Sequence, residues 1–170
     1  KEAQALGYAE EDPTFDIEGI DAAHKLSILA AIAFGTELQF DKVSTKGISD
    51  ITTEDIIHAS ELGYTIKHLG IAKRSGDGIE LRVHPTLVPN KQLIAQVDGV
   101  MNAVMVKSDA LGTSLYYGAG AGDEATASAV IADLNDIINN QTSNHTLGWK
   151  SQQKINVIDN DSINSEFFLR

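Results

Sequence analysis

The sequence predicts an α+β domain, a two-layer sandwich in which helices cover one face of a mostly antiparallel sheet. Four strand-like segments follow one another at short spacing between residues 64 and 118, separated by the turn signals "SGDG" and "SDALG". Helical patterns precede and follow this block and do not alternate with it. Consecutive strands joined by short turns favour antiparallel neighbours, with the helices gathered on one face.

Helix boundaries are marked by capping residues. The apolar segment from about Asp21 to Phe34 ends at Gly35, and "ITTEDIIHASELG" begins with a capping-box-like pair, Thr52 and Asp55. The segment "DEATASAVIADLNDIINN" predicts a closing helix. Its apolar residues on one helical stripe are Ala127, Val130, Ile131, Leu134 and Ile138.

The strand pattern is clearest around "SGDG". The segments "YTIKHLGIAKR" and "GIELRVHP" flank this turn and predict a hairpin that Pro85 and Pro89 should end. The segments "GVMNAVMVK" and "TSLYYG" predict two further strands. In "GIELRVHP" the expected buried face consists of Ile79, Leu81 and Val83, alternating with Glu80, Arg82 and His84.

Composition divides the chain into three parts. Residues 1–139 predict one domain, and the polar text of 140–164 predicts a linker or an irregular wrap. The apolar segment "SEFFLR" at 165–170 predicts the start of a further domain. Because the first residue is Lys1 and the last is Arg170, we expect a piece of a longer protein that carries only part of any site.

Charge and composition exclude several partners. The 13 basic and 24 acidic residues give a formal net charge of −11, which argues against binding to nucleic acid or to an anionic membrane. No cysteine is present, so disulfides and thiolate metal sites are excluded, and a cytoplasmic location is expected. No apolar run reaches the ~20 residues of a membrane span. The five histidines show no metal-ligand spacing, so no metal site is expected.

One lysine stands at the head of an apolar helix. Lys25 shares a helical face with Ile28, Leu29 and Ile32, and Asp21 lies one turn earlier, so the pair is expected to head a buried face. One interpretation is a surface ion pair worth ~0.3–0.5 kcal/mol, and another is a lysine that reaches water from a helix end. The functional interpretation is a proton donor, because a lysine in partly dry surroundings gives up its proton more readily and a carboxylate orients it.

Further acidic residues precede this helix. Glu10 and Asp16 could hold an ammonium group, whereas Glu11 and Glu18 are expected to be solvated, and Asp12 with Pro13 marks a turn.

The run "YGAGAGDEATA" is not a dinucleotide fingerprint. Its glycines at 118, 120 and 122 do not match G-x-G-x-x-G, because residue 123 is aspartate, and no βαβ unit surrounds them. Asp123 and Glu124 would repel a phosphate. The glycines could let the backbone approach a flat ligand ring, or they could serve a strand-to-helix turn with positive φ.

Four motifs together resemble the homoserine dehydrogenase family, in the catalytic and dimerisation region of its bacterial members. They are "GYAEEDPTFDIEGIDAAHKL", "RVHPTLVP", "GVMNAV" and "YYGAGAGDEATASAVIADL", in that order within residues 1–139. The first is highly specific, because G-Y-x-E, D-P, G-x-D and the following lysine all keep their spacing. The segment "SEFFLR" resembles the entry into the ACT regulatory domain that often follows in this family.

The resemblance implies reduction of L-aspartate 4-semialdehyde to L-homoserine with NADH or NADPH, in the route to threonine, methionine and isoleucine. It implies that Lys25 donates a proton to the carbonyl oxygen and that Asp21 orients substrate and lysine. Glu10 would bind the substrate, with Tyr8 and Asp16 in the same pocket.

The resemblance also implies a cofactor, NADP or NAD, against Gly122, with Gly118 and Gly120 supporting that turn. The family's nucleotide-binding domain, its further lysine and the segment that usually supplies a sodium site are missing from this sequence. We therefore expect half of an active site that binds cofactor poorly by itself, in a homodimer formed through the sheet. Two alternatives stay open: a non-catalytic structural or dimerisation module, and a related two-domain dehydrogenase that acts on another amino-acid aldehyde.

Overall fold

The computed structural model describes residues 11–139 and 154–166, which divide between two compact units. The first unit contains residues 11–13, 53–66 and 87–139 of the described chain, and the second contains 14–52, 67–86 and 154–166. Helices and strands are both abundant, so the predicted α+β class is confirmed. Within the described ranges, no helix is long and apolar enough to cross a membrane.

The predicted helices and strands within the described residues occur in the predicted order. The helices are α1 (Thr14–Ile17), α2 (Ile20–Phe34), α3 (Thr53–Glu61) and α4 (Asp123–Asn139), with short 3-10 turns at Phe40–Lys42, Leu93–Gln96 and Asn160–Ser162. The strands are β1 (Ser44–Thr45), β2 (Tyr64–Ser75), β3 (Gly78–Pro89), β4 (Met101–Ser108), β5 (Gly112–Ala119) and β6 (Asn156–Val157). Of these, α1, β1 and β6 are additional to the predicted elements.

Strand β3 is the centre of its sheet. It lies between β2 on one side and the short strands β1 and β6 on the other. The connection from β2 to β3 is only Gly76 and Asp77, too short for a parallel crossover, so these two strands form the predicted hairpin. Strands β1 and β6 pair with β3 in parallel, at Thr45↔Val83 and Ile79↔Val157 among other pairs.

The core of the second unit lies between α2 and β3. Ala23 and Leu26 of α2 contact Val83, and Ala30 contacts Ile79 and Leu81. The predicted inward face of β3 is therefore confirmed. Because small residues form much of the helix face, the helix axis can approach the sheet closely, and the branched side chains of β3 fill the remaining space.

The segment 154–158 adds a strand where only a linker or irregular wrap was predicted. Ile155 and Val157 pack against the core, and the Ile158 amide donates to the Ile79 carbonyl at 2.8 Å. The Ile155 amide donates to the Thr36 hydroxyl, and the Gln39 side-chain amide donates to the Ile155 carbonyl at 2.9 Å. In the sequence, only the short apolar alternation "INVI" indicates this strand, and the polar residues on both sides favour a linker. The predicted domain boundaries stay a prediction.

Pro85 does not end β3, as the sequence predicted, and the strand continues to Pro89. The Val83 carbonyl accepts from the Lys46 amide, so the backbone groups of Val83 point to the β1 side. Pro85 lies two residues later in the strand, so its backbone groups point to the same side. The β1 pairing stops at Val83, and no ladder bond is required of Pro85. A proline is tolerated at such an edge position.

The four long strands do not form one continuous sheet, which corrects the prediction. In the first unit, β4 and β5 form a separate antiparallel pair from Met101↔Ala119 to Ser108↔Gly112. The predicted apolar stripe of α4 stays exposed within the described chain, because α4 has no buried residue.

Replacing Ile79 by alanine tests the assignment of the core. Ile79 is 0% exposed, and we expect Ile79→Ala to lower the free energy of unfolding by about 2–5 kcal/mol and Ile79→Val by about 0.5–1.5 kcal/mol. The measurement is urea denaturation of the full-length protein, followed by circular dichroism. Ile48 is 40% exposed, and Ile48→Ala should stay within about 0.5 kcal/mol. Equal losses at the two positions would contradict the assignment.

Candidate active site

Helix α2 starts at a glycine that no other residue can easily replace. Gly19 has φ +76°, and a Cβ on it would lie 2.7 Å from the His68 ring and 3.0 Å from Val83. Its carbonyl accepts from the Ala23 amide at 2.9 Å, which opens the helix. The close approach of Gly19 to β2 and β3 therefore fixes where α2 begins and places Asp21 in its first turn.

Lys25 and Asp21 form the predicted pair on α2. The distance from Lys25 Nζ to Asp21 Oδ2 is 2.5 Å, and the two side chains are 67% and 40% exposed. This is the i,i+4 geometry that the sequence predicted, and both groups are open to solvent. Nothing in the described chain prevents a small molecule from reaching the ammonium group.

The face that carries Lys25 is not the buried face, which corrects the prediction. Lys25 does share a face with Ile28, Leu29 and Ile32, but each of these apolar side chains is close to half exposed. The sequence could not distinguish the two sides of the helix, because α2 is apolar almost all round. The side with small residues packs against β3, and its buried residues are Ala23, Leu26, Ser27, Ala30 and Ala31.

Helix α1 holds Asp16 close to the start of α2. The Phe15 ring lies edge-on to the His24 ring at 6.4 Å, and His24 in turn contacts Phe40 at 4.0 Å. The Asp16 carbonyl accepts from the Gly19 amide at 3.2 Å, and its carboxylate is exposed. The other two residues predicted to bind substrate, Tyr8 and Glu10, lie outside the described residues.

Glu18 is a residue that the sequence analysis missed. It was expected only to be solvated, but its Oε1 also accepts from the Ser49 hydroxyl at 2.5 Å, and the residue is partly buried. The Ile48 amide donates to the Ile17 carbonyl, and a Cβ on Gly47 would lie 2.8 Å from that same carbonyl. Residues 47–49 thus contact the junction of α1 and α2 through two hydrogen bonds and a close backbone approach. They border an open, polar cavity of about 250 Å³ lined by Glu18, Thr45, Lys46, Gly47, Ser49 and Asp50.

The glycine run belongs to the first unit and leads from β5 into α4. Gly118 lies in β5, Gly122 has φ +111°, and the Thr126 amide donates to the Gly122 carbonyl at 3.0 Å to open the helix. Asp123 and Glu124 occupy the first turn of α4. The positive φ at Gly122 shows that the run does serve a strand-to-helix turn.

In the parts of the chain that the structure describes, no group of three or more His, Asp or Glu side chains is arranged to hold a metal ion.

Comparisons with known proteins identify the family. The family model for homoserine dehydrogenase matches residues 1–135. The homoserine dehydrogenase of Pseudomonas aeruginosa is 68% identical over 142 residues, which cover 84% of this chain and 33% of that protein.

Solved structures give the same result. A homoserine dehydrogenase from Thiobacillus denitrificans is 67% identical and superposes with a TM-score of 0.80 over 84% of this chain and 33% of its own. A hyperthermophilic archaeal homoserine dehydrogenase mutant in complex with NADPH is 30% identical, with a TM-score of 0.61 over 81% of this chain and 38% of its own. The chain thus spans about a third of the length of these relatives, and it belongs to the homoserine dehydrogenase family.

Proposed function

We propose that the full-length protein interconverts L-aspartate 4-semialdehyde and L-homoserine with NADP or NAD as cofactor. In this proposal the chain carries the substrate-binding and proton-donor half of the active site. The observation that carries the proposal is the exposed pair of Lys25 and Asp21 on α2, within the most specific family motif of the sequence. Membership of the family supports the activity.

The lysine supplies the proton that carbonyl reduction needs. As the carbonyl carbon gains a hydride, its oxygen gains negative charge and takes a proton from Lys25 Nζ to become the hydroxyl of homoserine. In the oxidation direction, the same nitrogen takes the hydroxyl proton back. Asp21, 2.5 Å from that nitrogen, fixes the direction in which the ammonium points. A positioned acid or base of this kind contributes typically ~10²–10⁴-fold to the rate.

Acidic side chains suit the other end of the substrate. L-Homoserine and the aldehyde both carry an ammonium group, which an exposed carboxylate attracts. Asp16 presents one from α1, and the Phe15–His24 contact fixes α1 beside the first turns of α2. The roles of Glu10 and Tyr8 are proposed from the family motif alone.

The glycine run fits a flat ring better than a phosphate. A Cβ on Gly118 would meet no described atom within 4 Å, so this part of the chain leaves the backbone there open to a ligand. Asp123 and Glu124 oppose a phosphate group next to it. A bound NAD(P) would supply the hydride, with its nicotinamide against Gly122 and with Gly118 and Gly120 in support. The solved archaeal relative in complex with NADPH supports this choice of cofactor.

The homodimer through the sheet and the cytoplasmic location stay predictions. The exposed apolar side chains of the β4–β5 hairpin support the first, since a two-stranded ribbon by itself is marginally stable in water. These include Val104, Met105, Val106, Tyr116 and Tyr117.

Replacing Lys25 separates an enzyme from a purely structural module. We expect Lys25→Ala to lower kcat for homoserine-dependent NADP⁺ reduction by about a hundredfold or more, because the proton acceptor for the hydroxyl is removed. The unfolding midpoint should barely move, since an exposed ion pair contributes little to stability.

Lys46→Ala is the matched control for this experiment. Lys46 forms an i,i+4 pair with Asp50 at 3.6 Å, and its side chain is 65% exposed, close to the value for Lys25. We expect its kcat to stay within about twofold of the wild type. Near-normal turnover of a folded Lys25→Ala variant, or an equal loss in the two variants, would favour the structural module.

Substrate comparison separates homoserine dehydrogenase from a related dehydrogenase. We expect kcat/KM for L-homoserine to exceed that for 4-hydroxybutyrate, which lacks the amino group, by about a hundredfold or more, because the acidic side chains would lose the ammonium group that they bind. Asp16→Asn should lower the ratio of kcat/KM for L-homoserine to kcat/KM for 4-hydroxybutyrate. Asp41→Asn, which changes an exposed acid outside the motif, should leave it unchanged. A ratio near one, or a better turnover of another 3- or 4-carbon hydroxy acid, would contradict the assignment of the substrate.

A further inference from the structure

The open end of the β4–β5 hairpin carries an asparagine opposite the glycine run. Asn102 of β4 pairs in register with Gly118 of β5, and Met101↔Ala119 is the last pair. One residue further along, the Gly120 amide donates to the Val100 carbonyl at 3.2 Å. The backbone therefore stays bound to the β4 side as far as Gly120, immediately before the turn into α4.

The Asn102 side chain occupies the space next to Gly120. Residues that pair across two strands share a face of the ribbon, and so do alternate residues of one strand, so Asn102, Gly118 and Gly120 lie on the same face. A Cβ on Gly120 would overlap the amide nitrogen and Cγ of Asn102, and would lie 3.0 Å from its Cβ. The side chain of Asn102 thus packs directly on the Gly120 backbone.

The three glycines of the run differ in what constrains them. Gly122 has a positive φ, and a substitution there would strain the backbone. Gly120 is not among the glycines with positive φ, so it is the Asn102 side chain, not the backbone conformation, that leaves no room for a Cβ. Gly118 has neither constraint, because no described atom lies within 4 Å of its Cβ position. A substitution of Gly120 therefore tests its contact with Asn102.

We propose that Asn102 is a positioning residue for dinucleotide binding, acting through Gly120 on the backbone that leads into α4. This inference rests on the proposed function, which places a nicotinamide ring against that backbone. Gly118 and Gly120 have no side chains, so Asn102 fills their shared face of the ribbon and fixes the backbone path of residues 118–122. Among the described residues, its carboxamide forms no hydrogen bond, so the effect is one of packing. Loss of Asn102 loosens the turn that faces the cofactor and leaves the proton-transfer residues untouched.

Direct titration of NADPH with the full-length protein tests this role, by following the fluorescence of the dinucleotide. We expect Asn102→Ala to raise the Kd about fivefold or more, and Gly120→Ala to do the same by pushing the carboxamide aside. Asn102→Asp has nearly the same shape and should stay within about twofold. Thr113→Ala, which changes an exposed residue at the far end of the hairpin, should also stay within about twofold.

The double variant Asn102→Ala/Gly120→Ala tests the contact itself. Removing the carboxamide makes most of the room that a Cβ at 120 needs, so the two changes together should cost clearly less than the product of their separate effects. In the same variants, KM for L-homoserine and kcat at saturating cofactor should stay within about threefold of the wild type, because the substrate residues are unchanged.

Three results would overturn the inference. They are an unchanged Kd in folded Asn102→Ala, a Thr113→Ala variant as impaired as Asn102→Ala, and strictly multiplicative effects in the double variant. If Gly120→Ala fails to fold by circular dichroism, the contrast between Asn102→Ala and Asn102→Asp still decides. A wild-type protein that binds NADPH but does not oxidise L-homoserine would refute the proposed function and leave this inference standing.

Discussion

The packing of α2 against β3 is the contact on which the candidate site depends. A helix can be rotated about its axis without changing its length or ends, and only side-chain contacts decide which residues face outward. Here Ala23 and Leu26 meet Val83, and Ala30 meets Ile79 and Leu81. These contacts turn the opposite face outward and with it Lys25. The orientation of the proposed proton donor is therefore set by apolar residues that never contact a substrate.

Contacts at the two ends of α2 also fix the orientation of the helix about its axis. At its start, Gly19 leaves no space between the backbone and the β2–β3 hairpin, and Ser49 bonds Glu18 at the α1 junction. Just beyond its end, Thr36 and Gln39 bond the backbone of Ile155, which adds β6 to the sheet. Segments far apart in sequence thus contact the two ends of α2. A rotation of α2 that moved Lys25 would have to break several of these contacts at once.

The predictions from sequence succeeded where a local signal decides and failed where a tertiary contact decides. The ends of α2, the hairpin turn and the inward face of β3 follow from capping, turn and alternation patterns, and all are observed. The buried side of α2 was predicted wrongly, because hydrophobicity alone does not favour Leu29 over Leu26. What decides is the small size of the alanines, which lets the helix approach β3. The bond from Ser49 to Glu18 joins residues 31 positions apart, and no local pattern indicates it.

The exposed face of α2 adds a physical constraint on how the site works. Lys25 stands beside Ile28, Leu29 and Ile32, and no described residue covers them. Burying such side chains stabilises an assembled protein by about 25 cal/mol per Å² of apolar surface. A partner that covered this face would also remove water from the ammonium group of Lys25, so burial of the apolar neighbours and desolvation of the proposed proton donor would occur together. The acidic residues nearby, Asp21 above all, keep that cation paired while water leaves. An apolar face next to an ion pair is unfavourable in the isolated chain, but it matches the proposed role of Lys25 as a proton donor in an assembled site.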